Sequence, residues 1–167
     1  MRAHHPYLKL FAAAALALLA CGAASASATV TYVEADKFAD VPFSPVERER
    51  VLKLLTDHFT QLGKQLPAGQ ELRLEVTELD LAGRIEHHRR DGQDFRLMTG
   101  GADWPRMHLR YSLVADGKVL NSGEADLSSM NYLREMNRYN GGETLRYEKQ
   151  MIDEWFGKTF GVKVKRG

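Results

Sequence analysis

Cysteine is almost missing from this chain, and so are the motifs of several large enzyme classes. The single cysteine, Cys21, lies in an apolar run near the N-terminus, so the rest of the chain has no thiol for a disulfide or a catalytic thiolate. The sequence also lacks the Gly-x-Ser-x-Gly, His-Glu-x-x-His and glycine-rich phosphate-loop motifs. Hydrolase chemistry by a known signature is therefore unsupported, and we predict no metal and no cofactor.

An excess of either charge is missing as well. The whole chain has 23 lysines and arginines against 22 aspartates and glutamates. Arg2 and Lys9 belong to the N-terminal segment, and without them 21 basic residues remain against 22 acidic ones, a net charge of −1. Nothing in this balance favours nucleic acid or an anionic membrane as a partner.

The N-terminal segment is typical of a secretory signal peptide. Arg2 and Lys9 accompany the run LKLFAAAALALLACGAA, which is too short and too rich in alanine for a membrane span. Two processing reactions fit the residues that follow. The general signal peptidase would cut after Ala26-Ser27-Ala28, whereas Leu18-Leu19-Ala20-Cys21 approximates a lipobox that would leave Cys21 lipidated.

These features predict a signal peptide over residues 1–28 and a single domain over residues 29–167, a mature chain of 139 residues. One domain of this size buries a core without disulfides. We expect the protein in the periplasm or secreted, or, as the alternative, anchored to the envelope by a lipid on Cys21. Its only link to a membrane would be the signal peptide or that lipid.

A β-hairpin is predicted within the segment Asp103–Asp126, around a turn at Asp116-Gly117. Before the turn, apolar and polar residues alternate with the period of a strand that buries one face. A plain two-residue turn would place Glu124 on that buried face, opposite Leu109. A three-residue loop with Gly117 in a bulge would shift the pairing by one residue and bring Val119, Asn121, Gly123 and Ala125 to the core face. The bulged register avoids a buried carboxylate, which otherwise would need an arginine partner.

A helix is predicted to begin at Ser44-Pro45-Val46-Glu47, which has the pattern of a capping box, and to run to about Leu66. Its apolar stripe is formed by Val51, Leu55, Phe59, Leu62 and Leu66. The strand after it contains Leu72, Leu74 and Val76 and is predicted to bulge near Thr77-Glu78. The order strand, helix, strand favours a parallel pair.

The second half of the chain predicts two more helices and a polar loop. Residues 84–93 are the most polar stretch and indicate a hairpin tip or mobile loop, followed by a return strand at Phe95–Met98. A short helix is expected from Ser128 to Asn140, and a final helix from Thr144 with Trp155 and Phe156 in its apolar face. The predicted fold is α+β: a two-layer sandwich with a mostly antiparallel sheet of four or five strands, and a long N-terminal helix and a C-terminal helix packed on one face.

A set of short motifs resembles the bacterial domain of unknown function 3016 family. The resemblance covers essentially the whole mature chain and implies a signal-bearing envelope protein of one domain. It implies no activity, cofactor or catalytic residue. The motifs that carry it are Leu66-Pro67-Ala68-Gly69, Asp80-Leu81-Ala82-Gly83, Ala102-Asp103-Trp104-Pro105, Leu109-Arg110-Tyr111, Asn137-Arg138-Tyr139, Leu145-Arg146-Tyr147-Glu148-Lys149 and Asp153 with Trp155-Phe156.

Arginines and aromatic residues form the strongest candidate for a binding site. Planar guanidinium groups beside rigid rings suit a glycan or peptide that bears a carboxylate. The alternative is structural: Arg110, Arg138 and Arg146 would pair with Asp103, Glu124, Asp126 and Glu148 to dock the last helices on the hairpin. The predicted ligand-binding residues are Asp103, Trp104, Arg106, Arg110, Glu124, Arg138, Tyr139, Arg146 and Tyr147, with Tyr132 and Arg134 nearby.

The histidines support weaker hypotheses. His87-His88 invites a metal site, but adjacent strand residues point to opposite faces, so a solvated loop is favoured. His58 fits the edge of the core. The leading functional hypothesis is a non-enzymatic binding or accessory module for a partner protein or an anionic envelope ligand. Its rival is an acid/base hydrolytic enzyme that uses Glu124 or Asp103 with His108.

Overall fold

The computed structural model describes residues 25–87 and 94–165, and they fold into a mixed α+β domain. The predicted signal peptide up to Ala24, with Cys21, lies outside the described residues, as do His88 and the tip of the polar loop. None of the described helices combines the length and the apolar character needed to cross a membrane. The elements are β1 (Ser27–Tyr32), a short 3-10 turn (Ala35–Lys37), α1 (Pro45–Gly63), β2 (Gln70–Asp80), β3 (Arg84–His87), β4 (Asp94–Leu97), β5 (Arg106–Ala115), β6 (Lys118–Ser128) and α2 (Arg146–Phe160).

Six strands form two sheets in the described part of the chain. The main sheet has the order β1-β2-β5-β6, and β3 and β4 form a separate hairpin. The expectation of one sheet of four or five strands is therefore corrected, because the polar stretch after Gly83 pairs with its own return strand and does not join the main sheet. The fold prediction also described α1 as a long N-terminal helix, although a strand was expected before it; in the structure both β1 and the 3-10 turn precede α1.

The pairing within the main sheet is parallel only at one edge. β1 runs parallel to β2, as the order strand, helix, strand predicted, while β2 with β5 and β5 with β6 are antiparallel. The β2–β5 register shifts between Val76 and Glu78, so the bulge predicted there is confirmed.

The β5–β6 hairpin combines the two registers that the sequence left open. Asp116 and Gly117 have φ angles of 49° and 73°, as a two-residue type I′ turn requires. The register then skips Leu120, so that Leu113 pairs with Asn121 and Leu109 with Ala125. From Asn121 to Ala125 the pairing is that of the bulged register, and Glu124 lies on the exposed face. The bulge lies at Leu120 and not at Gly117, and the predicted position of Val119 on the core face is wrong, because Val119 pairs with Val114 and is 61% exposed. Asn121 and Gly123 are exposed as well.

One apolar core lies between the main sheet and the two helices. The predicted stripe of α1 is confirmed, since its central residues are almost completely buried. Because each fully buried apolar side chain contributes roughly 1.5–3 kcal/mol, this single cluster accounts for why both helices lie on the same face of the sheet. Its central members are Leu55, Phe59, Leu62, Leu72, Leu74, Val76, Leu109, Met151, Ile152 and Phe156.

The ends of the helices differ from the predictions. α1 begins at Pro45 with Ser44 as N-cap, but Ser44 makes no side-chain capping bond, and Glu47 pairs with Arg50 at 2.7 Å. The predicted capping box is therefore absent. The helix also ends at Gly63, three residues before Leu66.

The predicted helix from Ser128 to Asn140 is wrong, because this segment forms turns. Met130 and Met136, two of the residues that suggested a helical face, are exposed, whereas Tyr132 is buried. The final helix begins at Arg146 and not at Thr144, since Leu145 has a left-handed φ of 59° that no α-helix accommodates.

Candidate functional site

The residues predicted to bind a ligand are distributed over three places in the structure. One group lies on the exposed face of the main sheet, a second lies in a tyrosine cluster beside the β3–β4 hairpin, and a third lines a cleft between the helices.

The exposed face of the sheet carries a row of paired charges. The guanidinium group of Arg110 donates to Glu75 Oε1 at 2.7 Å and to Glu124 Oε1 at 2.8 Å. Arg106 pairs with Asp80 through its Nε at 3.0 Å. The structural alternative of an Arg110–Glu124 pair is thus observed, and the hydrogen bonds to Glu75 and Glu124 raise the pKa of Arg110.

His108 lies at the end of this face beside a cleft of about 790 Å³ that Trp104, Arg106 and Asp126 also line. Its Nδ1 is 2.6 Å from Asp126 Oδ1, and its Nε2 is 3.9 Å from Glu124 Oε2. The Asp126 side chain is 90% exposed, and water stabilises the charged form of such a carboxylate. Both carboxylates beside His108 are exposed to solvent, so the acid/base pair proposed around His108 contains no desolvated carboxylate.

Asp103 belongs to the tyrosine cluster and is occupied by structural hydrogen bonds. The backbone N–H and the hydroxyl of Thr99 each donate to Oδ2 at 2.8 Å, and the Tyr132 hydroxyl donates to Oδ1 at 3.0 Å. Burial by itself would raise the pKa of Asp103, but these hydrogen bonds outweigh it and lower the pKa. Burial, aided by the bond to Asp103, raises the pKa of Tyr132 to about 12.

Aromatic packing accounts for the remaining residues of this cluster. The rings of Tyr132 and Tyr147 meet edge to face with centroids 4.7 Å apart, and Trp104 packs against them. The guanidinium carbon of Arg146 lies 4.4 Å from the centre of the Tyr147 ring, a cation–π contact. Three predicted site residues, Trp104, Arg146 and Tyr147, thus hold the segment after β6 against the start of α2.

A buried ion pair joins the β3–β4 hairpin to α2. Glu148 is fully buried, and its Oε1 accepts a hydrogen bond from the backbone N–H of Ala82 at 2.8 Å. The guanidinium group of Arg96 donates to the same carboxylate and to the Ala82 carbonyl. The expectation that Glu148 pairs with Arg110, Arg138 or Arg146 is therefore wrong, because the β3–β4 hairpin supplies the cation.

The third group lines a cleft of about 770 Å³ between α1, α2 and the segment that follows β6. We call it the interhelical cleft. Of the predicted binding residues, Arg138 and Tyr139 lie here. The titratable side chains that line it are those of Asp57, His58, Lys64, Arg138, Tyr139, Glu143, Lys149, Asp153 and Lys165.

A buried carboxylate holds the inner wall of the interhelical cleft. Asp153 is only 4% exposed; its Oδ1 lies 2.9 Å from His58 Nε2, and its Oδ2 accepts a hydrogen bond from the Tyr139 hydroxyl at 2.8 Å. The rings of His58 and Tyr139 meet edge to face at 6.0 Å. The predicted position of His58 at the edge of the core is confirmed, but its acidic neighbour on α2 was missed.

Basic groups line the mouth of the same cleft. Among residues 25–87 and 94–165, Lys64, Arg138 and Lys165 have no carboxylate partner, whereas Lys149 pairs with Glu143. The backbone of Arg138 is fixed, because its N–H donates to Gln150 Oε1 at 2.9 Å. Gln65 and the backbone of Lys165 exchange two hydrogen bonds of 2.7 Å, which hold the C-terminal segment at the cleft.

A metal site finds no support in the described part of the chain. No group of three or more histidine, cysteine, aspartate or glutamate side chains is arranged to hold an ion there. His58 and Asp153 alone provide too few ligands for a closed site, which for zinc takes four.

The structure is an α+β domain with a cleft between two helices on one face of its sheet, lined by four basic and three acidic side chains. The chain belongs to the family described as "Protein of unknown function (DUF3016)", whose match spans residues 26–158. The resemblance noted from the sequence motifs is thereby confirmed. Neither a curated protein nor a solved structure matches the chain.

Proposed function

We propose that this protein is an exported, non-enzymatic binding module and that the interhelical cleft holds an anionic ligand of the cell envelope. The observation that carries the proposal is the set of three cationic side chains, Lys64, Arg138 and Lys165, around one cleft with no carboxylate partner among the described residues. Unpaired cations at the mouth of a cleft attract an anion. The three carboxylates that also line the cleft, Asp57, Glu143 and Asp153, are already paired with Lys53, Lys149 and His58.

The shape of the cleft fits a small ligand or a segment of a polymer. Its volume of about 770 Å³ lies within the range of roughly 300–1,000 Å³ found for small-molecule sites. Arg138 offers a planar fork that binds a carboxylate or phosphate through two parallel hydrogen bonds. Tyr139 and the apolar edge of Leu54 supply the contact surface beside it.

The wall behind these cations is rigid, which favours binding. Tyr139 is fixed through Asp153, Arg138 through Gln150, and Lys165 through Gln65. A site whose backbone is already positioned loses less conformational entropy when the ligand binds. Export supports the choice of an envelope ligand, since the predicted signal peptide would carry the domain out of the cytoplasm.

A second candidate function uses the same cleft. Asp153 is desolvated and contacts an imidazole, and such a pair can orient a general acid or base. An acid/base enzyme would therefore be centred on His58 with Asp153, and not on Glu124 or Asp103 with His108. The binding function is preferred because His58 and Asp153 are buried and contact each other, whereas the unpaired cations at the mouth of the cleft are exposed to solvent.

Calorimetric titration at low ionic strength tests the binding function, with citrate and pyrophosphate as probes. We expect saturable binding of at least one probe by the wild-type protein and about tenfold weaker binding by Arg138→Ala, equivalent to about 1.4 kcal/mol. Lys118→Ala is the matched control, because Lys118 is exposed at the hairpin turn and does not line the cleft. The control should bind like the wild type.

Two results would separate the candidates. Absence of saturable binding by the wild-type protein, or equal binding by the Arg138 and Lys118 variants, would contradict the binding module. An activity lost in His58→Gln while the probe still binds would support the enzyme. Co-purification from the envelope of wild-type cells and of the Arg138→Ala strain would then identify the natural ligand or partner.

A further inference from the structure

The first strand begins before the residue at which the mature chain was expected to begin. β1 starts at Ser27, and its parallel ladder with β2 pairs Ser27 with Glu71 and Ala28 with Leu72. The family match also begins upstream of Thr29, at residue 26. Cleavage after Ala28 would therefore remove the first two of the six residues of an edge strand.

Two alanines shortly before Thr29, Ala26 and Ala28, belong to the apolar core. Ala26 and Ala28 are 7% and 8% exposed, and they lie in the same apolar cluster as the stripe of α1. They are two residues apart, so they lie on the same face of the strand. The predicted signal peptide, which ends at Ala28, thus contains residues that the folded domain uses.

Gly63 at the end of α1 is adapted to this contact. A Cβ atom placed on Gly63 would lie 2.6 Å from the Cβ of Ala28 and 2.8 Å from the backbone carbon of Ser27. Distances below 3.0 Å are not tolerated, so a larger residue at 63 would force the helix and the strand apart. The absence of a side chain at 63 has a structural reason only if Ser27 and Ala28 are present in the mature protein.

We infer that, on export, the chain is processed on the N-terminal side of Ser27, so that the mature protein retains Ser27 and Ala28. The inference rests on the predicted signal peptide but not on the proposed ligand. Loss of these residues would leave the end of α1 and Leu72 of β2 without their cover. The shortened chain would therefore bury less apolar surface when it folds.

Several processing sites satisfy this boundary. Gly22-Ala23-Ala24 and Ala24-Ser25-Ala26 both have small residues at the positions that the general signal peptidase reads, and the lipobox ends at Cys21. All three leave β1 complete. The site after Ala28 is the one that the structure disfavours.

Intact mass and N-terminal sequencing of the protein purified from the envelope fraction of cells that express the full chain provide the first test. A mature N-terminus at Ser27 or upstream, including a lipidated Cys21, supports the inference. An N-terminus at Ala28 or downstream overturns it. The result does not depend on whether any ligand binds.

A substitution at Gly63 provides the second test on the same exported protein. Gly63→Ala should lower the melting temperature by at least about 3 °C, because the added methyl group meets Ala28. Gly142→Ala is the matched control, since a Cβ there has no neighbour within 4 Å and should leave the melting temperature unchanged. Equal melting temperatures for the two variants would mean that Ala28 is not packed against Gly63, and the inference would fail.

Discussion

His58 on α1 and Asp153 on α2 lie 2.9 Å apart, and both side chains are largely buried. The two helices are thus connected by a polar contact beneath the interhelical cleft as well as by the apolar core. The stability of the domain and the shape of the cleft therefore depend on the same residues, and this can be measured.

Replacement of Asp153 by alanine should destabilise the domain by about 3 kcal/mol, because a buried His58 and the Tyr139 hydroxyl lose their partner. Tyr139→Phe removes one hydrogen bond and should cost about 1 kcal/mol. Urea denaturation measures both. Asp57→Ala is the control, since its pair with Lys53 is exposed and should contribute less than about 1 kcal/mol. Equal losses for Asp57 and Asp153 would contradict a structural role for the buried carboxylate.

The Arg96–Glu148 pair makes a second prediction about stability. Arg96→Ala leaves a fully buried carboxylate with fewer donors and should cost roughly 3–5 kcal/mol, measured by thermal or chemical denaturation. Arg84→Ala breaks only an exposed pair with Glu86 in the same hairpin and should change stability by less than about 0.5 kcal/mol. The prediction fails if the two arginine variants unfold at the same denaturant concentration.

Acid should weaken the fold through Asp103. Its pKa is lowered in the folded protein, so its contribution is fully present above the ordinary value of 3.8 and is lost as the pH falls through the folded value. Melting temperatures measured between neutral pH and pH 3 should therefore fall more steeply for the wild type than for Asp103→Asn. Parallel curves for the two proteins would show that another group controls the acid transition.

Alkaline titration should reveal two tyrosines that ionise late. Burial raises the pKa values of Tyr32 and Tyr132 to about 12, against an ordinary value of 10.0. A raised pKa stabilises the protein fully below the unfolded value, and this stabilisation is lost as the pH rises through the folded value. The tyrosinate absorbance should thus show a late phase near pH 12 that is smaller in Tyr32→Phe and in Tyr132→Phe. A single phase near pH 10 in a folded protein would contradict the prediction.

Periodicity predicted the parts of this fold that bury one face. The stripe from Val51 to Leu66 and the alternation of β5 required only local spacing, and the Asp-Gly pair located the turn. A shift of the β5–β6 register could be anticipated because the unshifted pairing would have buried Glu124, but the position of the bulge at Leu120, and not at Gly117, could not. These features are decided by residues that are neighbours in sequence.

The polar contacts of the core could not be predicted in the same way. Glu148 meets Arg96, which lies 52 residues earlier, and no local pattern connects them. One signal was present: Glu148 lies three residues after Leu145 and four before Ile152, on the buried side of α2, where a charge requires a partner. The turns from Ser128 to Asn140 were mistaken for a helix because methionine spacing was taken as a sign of burial.

The contact of Ala28 with Gly63 also determines how the domain is presented to its surroundings. Gly63 is followed directly by Lys64 and Gln65, both on the rim of the interhelical cleft. Any membrane anchor that precedes Ser27 would therefore be attached at the end of the molecule where the interhelical cleft opens. A lipid at Cys21 would keep the opening of the cleft near the bilayer, since only a few residues separate Cys21 from Ser27. A free N-terminus would let the whole domain diffuse and rotate freely.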